Sequence, residues 1–257
     1  MDLSNKLSSI TPEIENRRLQ VLHSLDILDT PVDELYDDIT RIAASLTNSK
    51  TALITFVDQD RVWFKSRVGG TRTEISRGDS FCQYTIAGDE LFEIEDTLKS
   101  EEFKNNLLVT SEPKWRHYAG VPLQIEEGVN VGALCILGTK PTKLNEREAS
   151  TLTFLAKTVV HLIRLRKSIV ELNSSQQLLK VLQEINEDFI QSPENKRNLF
   201  RKMLDYVLKV TGSEYGFIGE VFLNEGKQAL RTFAITDISW NDETRELYKR
   251  YEEKGMV

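Results

Sequence analysis

Two pairs of β-type segments, each joined by a short polar turn, constrain the fold of this chain most. Residues 52–57 and 62–68 are rich in β-branched and aromatic side chains, and residues 116–125 and 131–137 repeat the arrangement around a second turn. Because turns this short join antiparallel neighbours, these segments predict two β-hairpins. The alternating segment "LFEIE" indicates a further half-buried strand. Helical segments lie between and after the hairpins, which favours an α+β fold over a doubly wound parallel sheet.

A first amphipathic helix is predicted after residue 30. Thr30 and Pro31, followed by Asp33, suit a helix N-cap and the first helical position. A polar loop at residues 71–79 then leads to a short helix that begins near Cys82. The apolar residues that recur at helical spacing in the first helix are Val32, Leu35, Tyr36, Ile39, Ile42, Ala43 and Leu46.

A much longer helix is predicted from Asn145 onwards. Its apolar residues hold spacings of three and four as far as Leu172, and the pattern resumes after a polar break at residues 173–177. Charged residues flank a narrow apolar stripe through residues 163–172, which is more typical of a two-chain coiled coil than of a globular core. We therefore expect a homodimer through the helices around residues 150–190, with the two chains either parallel or antiparallel.

The pattern of the first module begins again beyond Pro193. An amphipathic helix over residues 199–208 precedes two strand-type segments, 215–223 and 228–235, in the order already seen at residues 32–68. This repetition predicts an incomplete second copy of the same module. The expected organisation is an N-terminal tail at 1–14, a first domain at 15–160, a helical linker at 161–193 and the start of a second domain at 194–257.

Composition excludes several classes of partner. The net charge is −7 and the isoelectric point is about 5.2, so phosphate backbones and anionic lipids should repel the molecule. The first residues lack the basic and apolar regions of an export signal, and no apolar stretch reaches the roughly 18 residues of a membrane span. Two cysteines are too few for a disulfide scaffold. We expect a cytoplasmic protein that contacts neither nucleic acid nor membrane.

Four segments carry a family resemblance, and they stand along the chain in the order "ALITFVDQDRVWFKSRVGG", "DSFCQYTI", "VTSEPKWRHYAGVPL" and "VNVGALCIL". In sequence and spacing they resemble the GAF domains of bacterial sensor histidine kinases and diguanylate cyclases, over residues 15–166. Two later segments, "GSEYGFIGEV" and "AITDISWNDETRELY", are similar to a second GAF subgroup from multi-domain sensor kinases. The chain departs from many relatives after the last strand, where Gly138 and Thr139 replace an acidic end.

The resemblance implies a six-stranded antiparallel sheet flanked by helices, with a small-molecule pocket between the sheet and its connecting loops. It also implies a signalling role without enzymatic activity, in which terminal helices pass the signal to a histidine kinase or diguanylate cyclase output domain outside this chain. No cofactor is expected beyond an unidentified ligand. Two alternatives stay open: a thiol enzyme of the free methionine sulfoxide reductase type that uses Cys82, and a dimerisation scaffold with a vestigial pocket.

Cys82 is the first candidate site residue. A position at a helix N-terminus would lower the pKa of its thiol and raise the thiolate fraction. A catalytic cysteine also needs a base and an orienting group, yet His23, His117 and His161 stand in no recognisable local signature. Cys135 lies in the middle of a strand, where inward packing is expected rather than a resolving role. We therefore interpret Cys82 as part of a pocket wall and not as a nucleophile.

Four more residues complete the predicted ligand site. Ser80 suits the N-cap of the cysteine helix, and the amides of that turn could equally hold a carboxylate or phosphate of a ligand. Trp63 and Tyr118 lie on or beside strands, where most aromatic residues pack and some line pockets. Asp96 follows "LFEIE" and resembles an acidic position of relatives, so ligand contact and turn stabilisation both stay open. No metal site is expected, since no histidine has a second ligand at metal spacing.

Overall fold

The computed structural model describes residues 3–8, 10–191, 196–224, 227–236 and 244–246. The chain divides into two compact units, Met1–Ile169 and Val170–Val257. The helices are α1 (Leu3–Ser8), α2 (Pro12–Ser24), α3 (Glu34–Leu46), α4 (Cys82–Thr85), α5 (Leu107–Thr110), α6 (Glu146–Gln191) and α7 (Lys196–Thr211). The strands are β1 (Thr51–Val57), β2 (Arg61–Val68), β3 (Glu74–Ser76), β4 (Phe92–Ile94), β5 (His117–Glu126), β6 (Val129–Gly138), β7 (Phe217–Asn224) and β8 (Lys227–Ile235).

The first unit is built on a six-stranded sheet in the order β3-β2-β1-β6-β5-β4. Every pair of neighbouring strands is antiparallel. The two predicted hairpins are β1–β2 and β5–β6, and β1 and β6 pair at the centre of the sheet. The predicted α+β class, with a six-stranded antiparallel sheet flanked by helices, is therefore confirmed.

One side of this sheet, here called the helical face, is covered by α2, α3 and the first part of α6. Its core is almost wholly aliphatic, because alternate residues of each strand point to this side and meet the apolar stripes of the helices. Each fully buried aliphatic side chain contributes about 1.5–3 kcal/mol relative to an exposed one. The members that are 0% exposed are Leu22, Ile27, Ala43, Ala52, Ile54, Phe56, Ala119, Leu123, Val131, Leu134, Ile136, Leu152 and Val159.

The other side, here called the loop face, is covered by α4, α5 and the segments that connect β2 to β5. Its core contains more aromatic rings, together with both cysteines. Five of the rings form one cluster with centroids 4.9–6.4 Å apart, and these are Phe81, Tyr84, Phe92, Phe103 and Tyr118. Tyr84 and Phe92 are stacked, and the other contacts are edge-on or tilted.

Helix α3 begins later than the sequence predicts. Its N-cap is Asp33, whose Oδ1 accepts a hydrogen bond of 3.1 Å from the Leu35 amide. Thr30 is no cap: its hydroxyl donates to the Ile27 carbonyl at 2.7 Å, and its Oγ1 accepts from Lys65 Nζ at 2.9 Å. The prediction for Thr30 and Pro31 is wrong because these residues are engaged by the preceding turn and by β2. Of the predicted apolar stripe, only Tyr36, Ile39 and Ala43 are buried.

The long helix α6 begins where its sequence predicts. Asn145 Oδ1 accepts from the Glu148 amide at 3.0 Å, and the Asn145 amide donates to Glu148 Oε2 at 2.9 Å. This reciprocal pair satisfies two backbone donors at the helix start. In the described part of the chain, none of the helices combines the length and the hydropathy that a bilayer crossing requires.

The second unit contains the rest of α6, helix α7 and the antiparallel hairpin β7–β8. Phe200 of α7 stacks on Phe233 of β8 with ring centroids 4.5 Å apart. A helix followed by a hairpin is the predicted order. Most of "AITDISWNDETRELY" lies outside the described residues, so the incomplete second module stays a prediction, as do the predicted domain boundaries. In the predicted N-terminal tail, α1 and the start of α2 are helical.

Candidate functional site

A buried polar cluster lies at the centre of the loop face. Cys82, 5% exposed, is the first residue of α4, and Ser80 Oγ accepts a hydrogen bond of 3.1 Å from the Cys82 amide. Two anchors hold the segment that precedes this helix: Arg77 Nη1 donates to the Asp58 carbonyl at 3.1 Å, and Asn106 Nδ2 donates to the Asp79 carbonyl at 3.0 Å. The cysteine is therefore placed by contacts on both sides of its loop and not by the short helix alone.

The Cys82 sulfur is surrounded by hydrogen-bonding groups from three strands. Thr55 Oγ1 of β1 donates to it at 3.4 Å and the Tyr118 hydroxyl of β5 donates at 3.5 Å. The Cys135 sulfur of β6, which is 0% exposed, lies 3.9 Å away. Tyr118 also shares a hydrogen bond of 2.6 Å with Thr85 Oγ1. The polar groups of this cluster thus satisfy one another inside a hydrophobic core.

Gly120 makes room for this arrangement. It lies two residues after Tyr118 on β5 and hence on the same face, opposite Cys135 of β6. A Cβ atom at position 120 would stand 2.3 Å from the Tyr118 hydroxyl oxygen and 2.9 Å from Thr85 Oγ1. Because Gly120 has no side chain, the Tyr118 ring can lie along β5 with its hydroxyl next to the Cys82 sulfur.

The two thiols differ in acidity. The hydrogen bond with Cys135 lowers the pKa of Cys82, burial opposes it, and hydrogen bonds to Thr55 and Tyr118 help to hold the pKa at about 6. The same thiol contact, together with burial, raises the pKa of Cys135 well above its usual value. Burial, followed by the charge of the neighbouring sulfurs, raises the pKa of Tyr118. Of the two thiols, that of Cys82 is therefore the more acidic.

Two cavities border the loop-face core. The larger has a volume of about 700 Å³ and opens between α1, β4 and the segment around Phe103. Its apolar wall is formed by Leu91, Phe92, Ile94 and Phe103, and its polar wall by Lys6, Asp89, Glu90, Glu93 and Ser100. The smaller, of about 370 Å³, lies between β3 and α5 and is lined by mostly exposed polar residues together with Ile75, Leu107 and Leu108. Both volumes are in the range of small-molecule sites.

The structure brings together three of the five predicted site residues: Ser80, Cys82 and Tyr118. Trp63 lies on the opposite, helical face, where its ring centroid is 6.2 Å from that of Phe56. Asp96 caps a short 3-10 turn, with its Oδ1 accepting from the Leu98 amide at 3.1 Å. None of the five lines either cavity described here, so as ligand contacts all five stay predictions.

Glu93 is a residue that the sequence analysis missed. It lies on β4 and lines the larger cavity. Its Oε1 accepts a hydrogen bond of 2.7 Å from the Leu144 amide and lies 2.9 Å from Nε2 of His117. In the sequence it is only the polar position of "LFEIE", and its partner Leu144 is 51 residues away. A charged residue between two apolar residues of a short strand was the one available signal.

The comparison that decides the family is a match of the GAF domain sequence model to residues 29–164, more than half of the 257 residues. The chain belongs to the GAF domain family. This GAF domain is a sensory signalling module, as the resemblance predicts. Among the described residues, no group of three or more His, Cys, Asp and Glu side chains is placed to hold a metal ion.

Three relatives of this GAF protein are informative in different degrees. A cyclic di-GMP phosphodiesterase of Pseudomonas aeruginosa is 33% identical over 179 residues, which are 68% of this chain and 30% of the relative. The GAF domain of an Acinetobacter phosphoenolpyruvate-protein phosphotransferase is 16% identical, with a TM-score of 0.44, over 61% of this chain and 94% of that chain. A free methionine-R-sulfoxide reductase of Neisseria meningitidis is 17% identical, with a TM-score of 0.43, over 62% and 88%.

One prediction is overturned by the first of these relatives. The sequence analysis expected a protein without enzymatic activity, whereas the curated relative that matches 179 residues is a cyclic di-GMP phosphodiesterase. The match covers 30% of the length of that enzyme. The expected inward packing of Cys135 is confirmed, since its side chain is 0% exposed, and its sulfur lies 3.9 Å from that of Cys82.

Proposed function

We propose that the protein is a cyclic di-GMP phosphodiesterase whose GAF domain is the sensor that sets its activity. The observation that carries this proposal is the 33% identity over 179 residues with a cyclic di-GMP phosphodiesterase. Since the match extends over 179 residues, more than the length of the family match at residues 29–164, the relationship involves more than one short motif. By the same proposal the protein works in the cytoplasm, where it contacts neither nucleic acid nor membrane.

The ligand of the sensor, in this proposal, binds in the larger cavity. Small-molecule sites combine apolar walls with a few convergent polar groups, and this cavity has aromatic walls in Phe92 and Phe103. Three of its lining residues are acidic, Asp89, Glu90 and Glu93, against one lysine, Lys6. Carboxylates accept hydrogen bonds and attract positive charge. The favoured ligand is a neutral or cationic small molecule with an apolar body and at least one hydrogen-bond donor.

Hydrogen bonds connect the wall of this cavity to the start of α6. The Leu144 amide donates to Glu93 Oε1 at 2.7 Å, and the Thr142 amide donates to the Glu95 carbonyl at 3.0 Å. Asn145, which directly follows Leu144, caps α6. A ligand that binds one position of β4 more tightly than another therefore biases the base of the helix, and about 1–3 kcal/mol of differential binding is sufficient for regulation.

In the same proposal, α6 pairs with a second copy of the chain. Leu165 and Leu172, 58% and 57% exposed, lie seven residues apart with Ile169 between them. This spacing is that of a coiled-coil seam, which needs an equivalent stripe on a partner helix. A dimer would carry the change at the base of α6 to the catalytic part of the protein.

The ligand proposal can be tested by filling the cavity. We expect native mass spectrometry of the freshly purified protein to show a retained small molecule, and Ser100→Phe to abolish its retention. Thr73→Phe, which places the same ring in the smaller cavity, is the matched control and should leave the ligand bound. A ligand-free wild-type protein, or equal retention by both variants, would contradict the assignment.

Enzymatic activity is measured on the same samples. We expect the wild-type protein to hydrolyse cyclic di-GMP to a linear dinucleotide, and Ser100→Phe to change the rate at least severalfold while Thr73→Phe does not. Absence of hydrolysis by the wild-type protein would refute the phosphodiesterase proposal without affecting the ligand result.

The dimer proposal has its own variants. Leu165→Asp combined with Leu172→Asp should convert a dimer into a monomer in sedimentation velocity, since charges in a coiled-coil seam cannot be solvated. Val170→Asp makes the same chemical change on another side of α6 at a residue that is 46% exposed, and it should leave the dimer intact. A monomeric wild-type protein would refute this part of the proposal.

A further inference from the structure

We propose that Cys82 and Cys135 are a redox modification site, at which a hydroperoxide oxidises the two thiols to an intramolecular disulfide. The proposal goes beyond the phosphodiesterase function and does not depend on it. It rests on the geometry of the buried cluster: two sulfurs from distant parts of the chain, 3.9 Å apart, with two hydroxyl donors aimed at one of them.

The distance between the sulfurs is already short. A disulfide bond is about 2.05 Å long, so the sulfurs need to approach by roughly 2 Å. Cys135 is held in β6 between its neighbours on β1 and β5, Leu53 and Gly120. Cys82 belongs to a helix of four residues and is the sulfur that can move. Because the chain has two cysteines, the pair has no competing partner within the molecule.

The surroundings assign different roles to the two thiols. Hydrogen bonds from Thr55 and Tyr118 to the Cys82 sulfur stabilise its thiolate, which is the reactive form. For the Cys135 thiol, the contact with Cys82 and burial raise the pKa, and these outweigh the lowering effect of a hydrogen bond from Tyr118. Cys82 is therefore the sulfur that attacks the peroxide, and Cys135 is the one that resolves the product.

The reaction balances with a hydroperoxide as the oxidant. The Cys82 thiolate attacks one peroxide oxygen, the O–O bond breaks, and the leaving hydroxide takes a proton to become water. The Cys135 sulfur then attacks the resulting sulfenic acid, the S–O bond breaks, and hydroxide leaves with the Cys135 proton as a second water. Two thiols lose two electrons, hydrogen peroxide gains them, and a dithiol reverses the change.

Disulfide formation would be transmitted to the larger cavity. Phe81, which directly precedes Cys82, packs edge-on against Phe103 with ring centroids 5.2 Å apart. Phe103 is part of the wall of the larger cavity. Movement of Cys82 towards β6 therefore shifts Phe81 and alters its packing against Phe103 in the cavity wall. Oxidation of the cluster thus becomes a second input at the sensor domain.

The first test uses the full wild-type chain. Reduced protein is treated with hydrogen peroxide, quenched, denatured, alkylated with N-ethylmaleimide and analysed by mass spectrometry. We expect both alkylation sites to be lost, a mass decrease of two hydrogens, and a cross-linked peptide pair that dithiothreitol separates. Two alkylated cysteines after peroxide treatment, or disulfides only between chains, would overturn the proposal.

The second test assigns the roles. In Cys135→Ala, peroxide should leave a sulfenic acid at Cys82 that dimedone traps, whereas in Cys82→Ala the remaining Cys135 should stay unlabelled. Tyr118→Phe keeps the ring but removes a donor to the Cys82 sulfur, so disulfide formation should slow severalfold. Equal dimedone labelling in the two alanine variants would refute the assigned roles. The wild-type result stands independently of how these buried variants fold.

Discussion

The two faces of one sheet are packed in different ways. The helical face is covered by three long helices, and its core is almost wholly aliphatic. The loop face is covered by one-turn helices and connecting segments, and its core mixes aromatic rings with two thiols and hydroxyl groups. The first face stabilises the domain mainly by burial, with a few hydrogen-bonded polar groups such as Arg18 and Thr40. The second also contains polar groups and is bordered by both cavities, so chemistry and ligand binding can occur there.

The difference follows from what covers each face. A helix satisfies its own backbone hydrogen bonds and presents a continuous apolar stripe, so the strands beneath need supply only aliphatic side chains. Loops leave backbone groups that need side-chain partners, such as the Asp79 carbonyl bonded by Asn106. Polar residues are consequently part of the loop-face core, and some of them face one another.

The largest predicted effect concerns the helical face. Leu152→Ala should lower the free energy of unfolding by about 2–5 kcal/mol, because Leu152 is 0% exposed and its loss leaves a cavity between α6 and the sheet. Phe154→Ala on the same helix removes a larger side chain that is 68% exposed, and it should change stability by less than about 0.5 kcal/mol. Urea denaturation measures both; comparable losses would mean that the helical face is not packed as described.

On the loop face, Gly120→Ala should lower the free energy of unfolding by about 1–3 kcal/mol through overpacking. The new methyl group would stand 2.3 Å from the Tyr118 hydroxyl oxygen. Near-ultraviolet circular dichroism should report the displaced tyrosine. In the double variant with Tyr118→Phe, the cost should be smaller than the sum of the single costs, because the closest contact is absent. Additive costs would show that the clash lies elsewhere.

A smaller effect is expected for Tyr118→Phe alone. It removes the 2.6 Å hydrogen bond with Thr85 and should lower the free energy of unfolding by about 1 kcal/mol. Since burial raises the pKa of Tyr118, an ultraviolet absorbance titration should show one fewer late-ionising tyrosine in this variant. An unchanged titration would contradict the buried position of the phenol.

The smallest effect concerns a link between the two faces. Glu15 of α2, on the helical side, binds Arg18 at 2.6 Å and Arg77 of the loop side at 2.5 Å. Burial would raise the pKa of Glu15, but hydrogen bonds from both arginines outweigh it and lower the pKa from 4.5 to about 2. The link therefore contributes its full stability above about pH 4.5 and loses it as the pH falls towards 2.

Glu15→Gln is the corresponding variant. It should flatten the stability curve between about pH 4.5 and about pH 2 and leave a neutral-pH protein that is modestly less stable. Because Glu15 remains partly exposed, solvent screening keeps the effect small. Chemical denaturation at several pH values measures it, and a curve parallel to that of the wild type would exclude the link.

Local patterns in the sequence were sufficient for much of the fold. Both hairpins, the start of α6 at Asn145 and the antiparallel sheet could be predicted, since period-two alternation, turn chemistry and capping pairs act between residues close in the chain. The start of α3 was wrong because Thr30 is bonded by Lys65, a contact across 35 residues. Helical spacing also could not tell which apolar residues of α3 are buried: Val32 is 80% exposed.

The sequence by itself determined the class of the domain, the family and the location of Cys82 at the start of a short helix. Only the tertiary structure decided that Cys135, 53 residues later, places its sulfur 3.9 Å from that of Cys82, and that Glu93 joins a cavity to the base of α6. The physical reason is that strand alternation states which residues share a face but not which strands become neighbours. The packing of the whole sheet determines which strands are neighbours, and the site forms only because that packing brings residues from distant parts of the chain together.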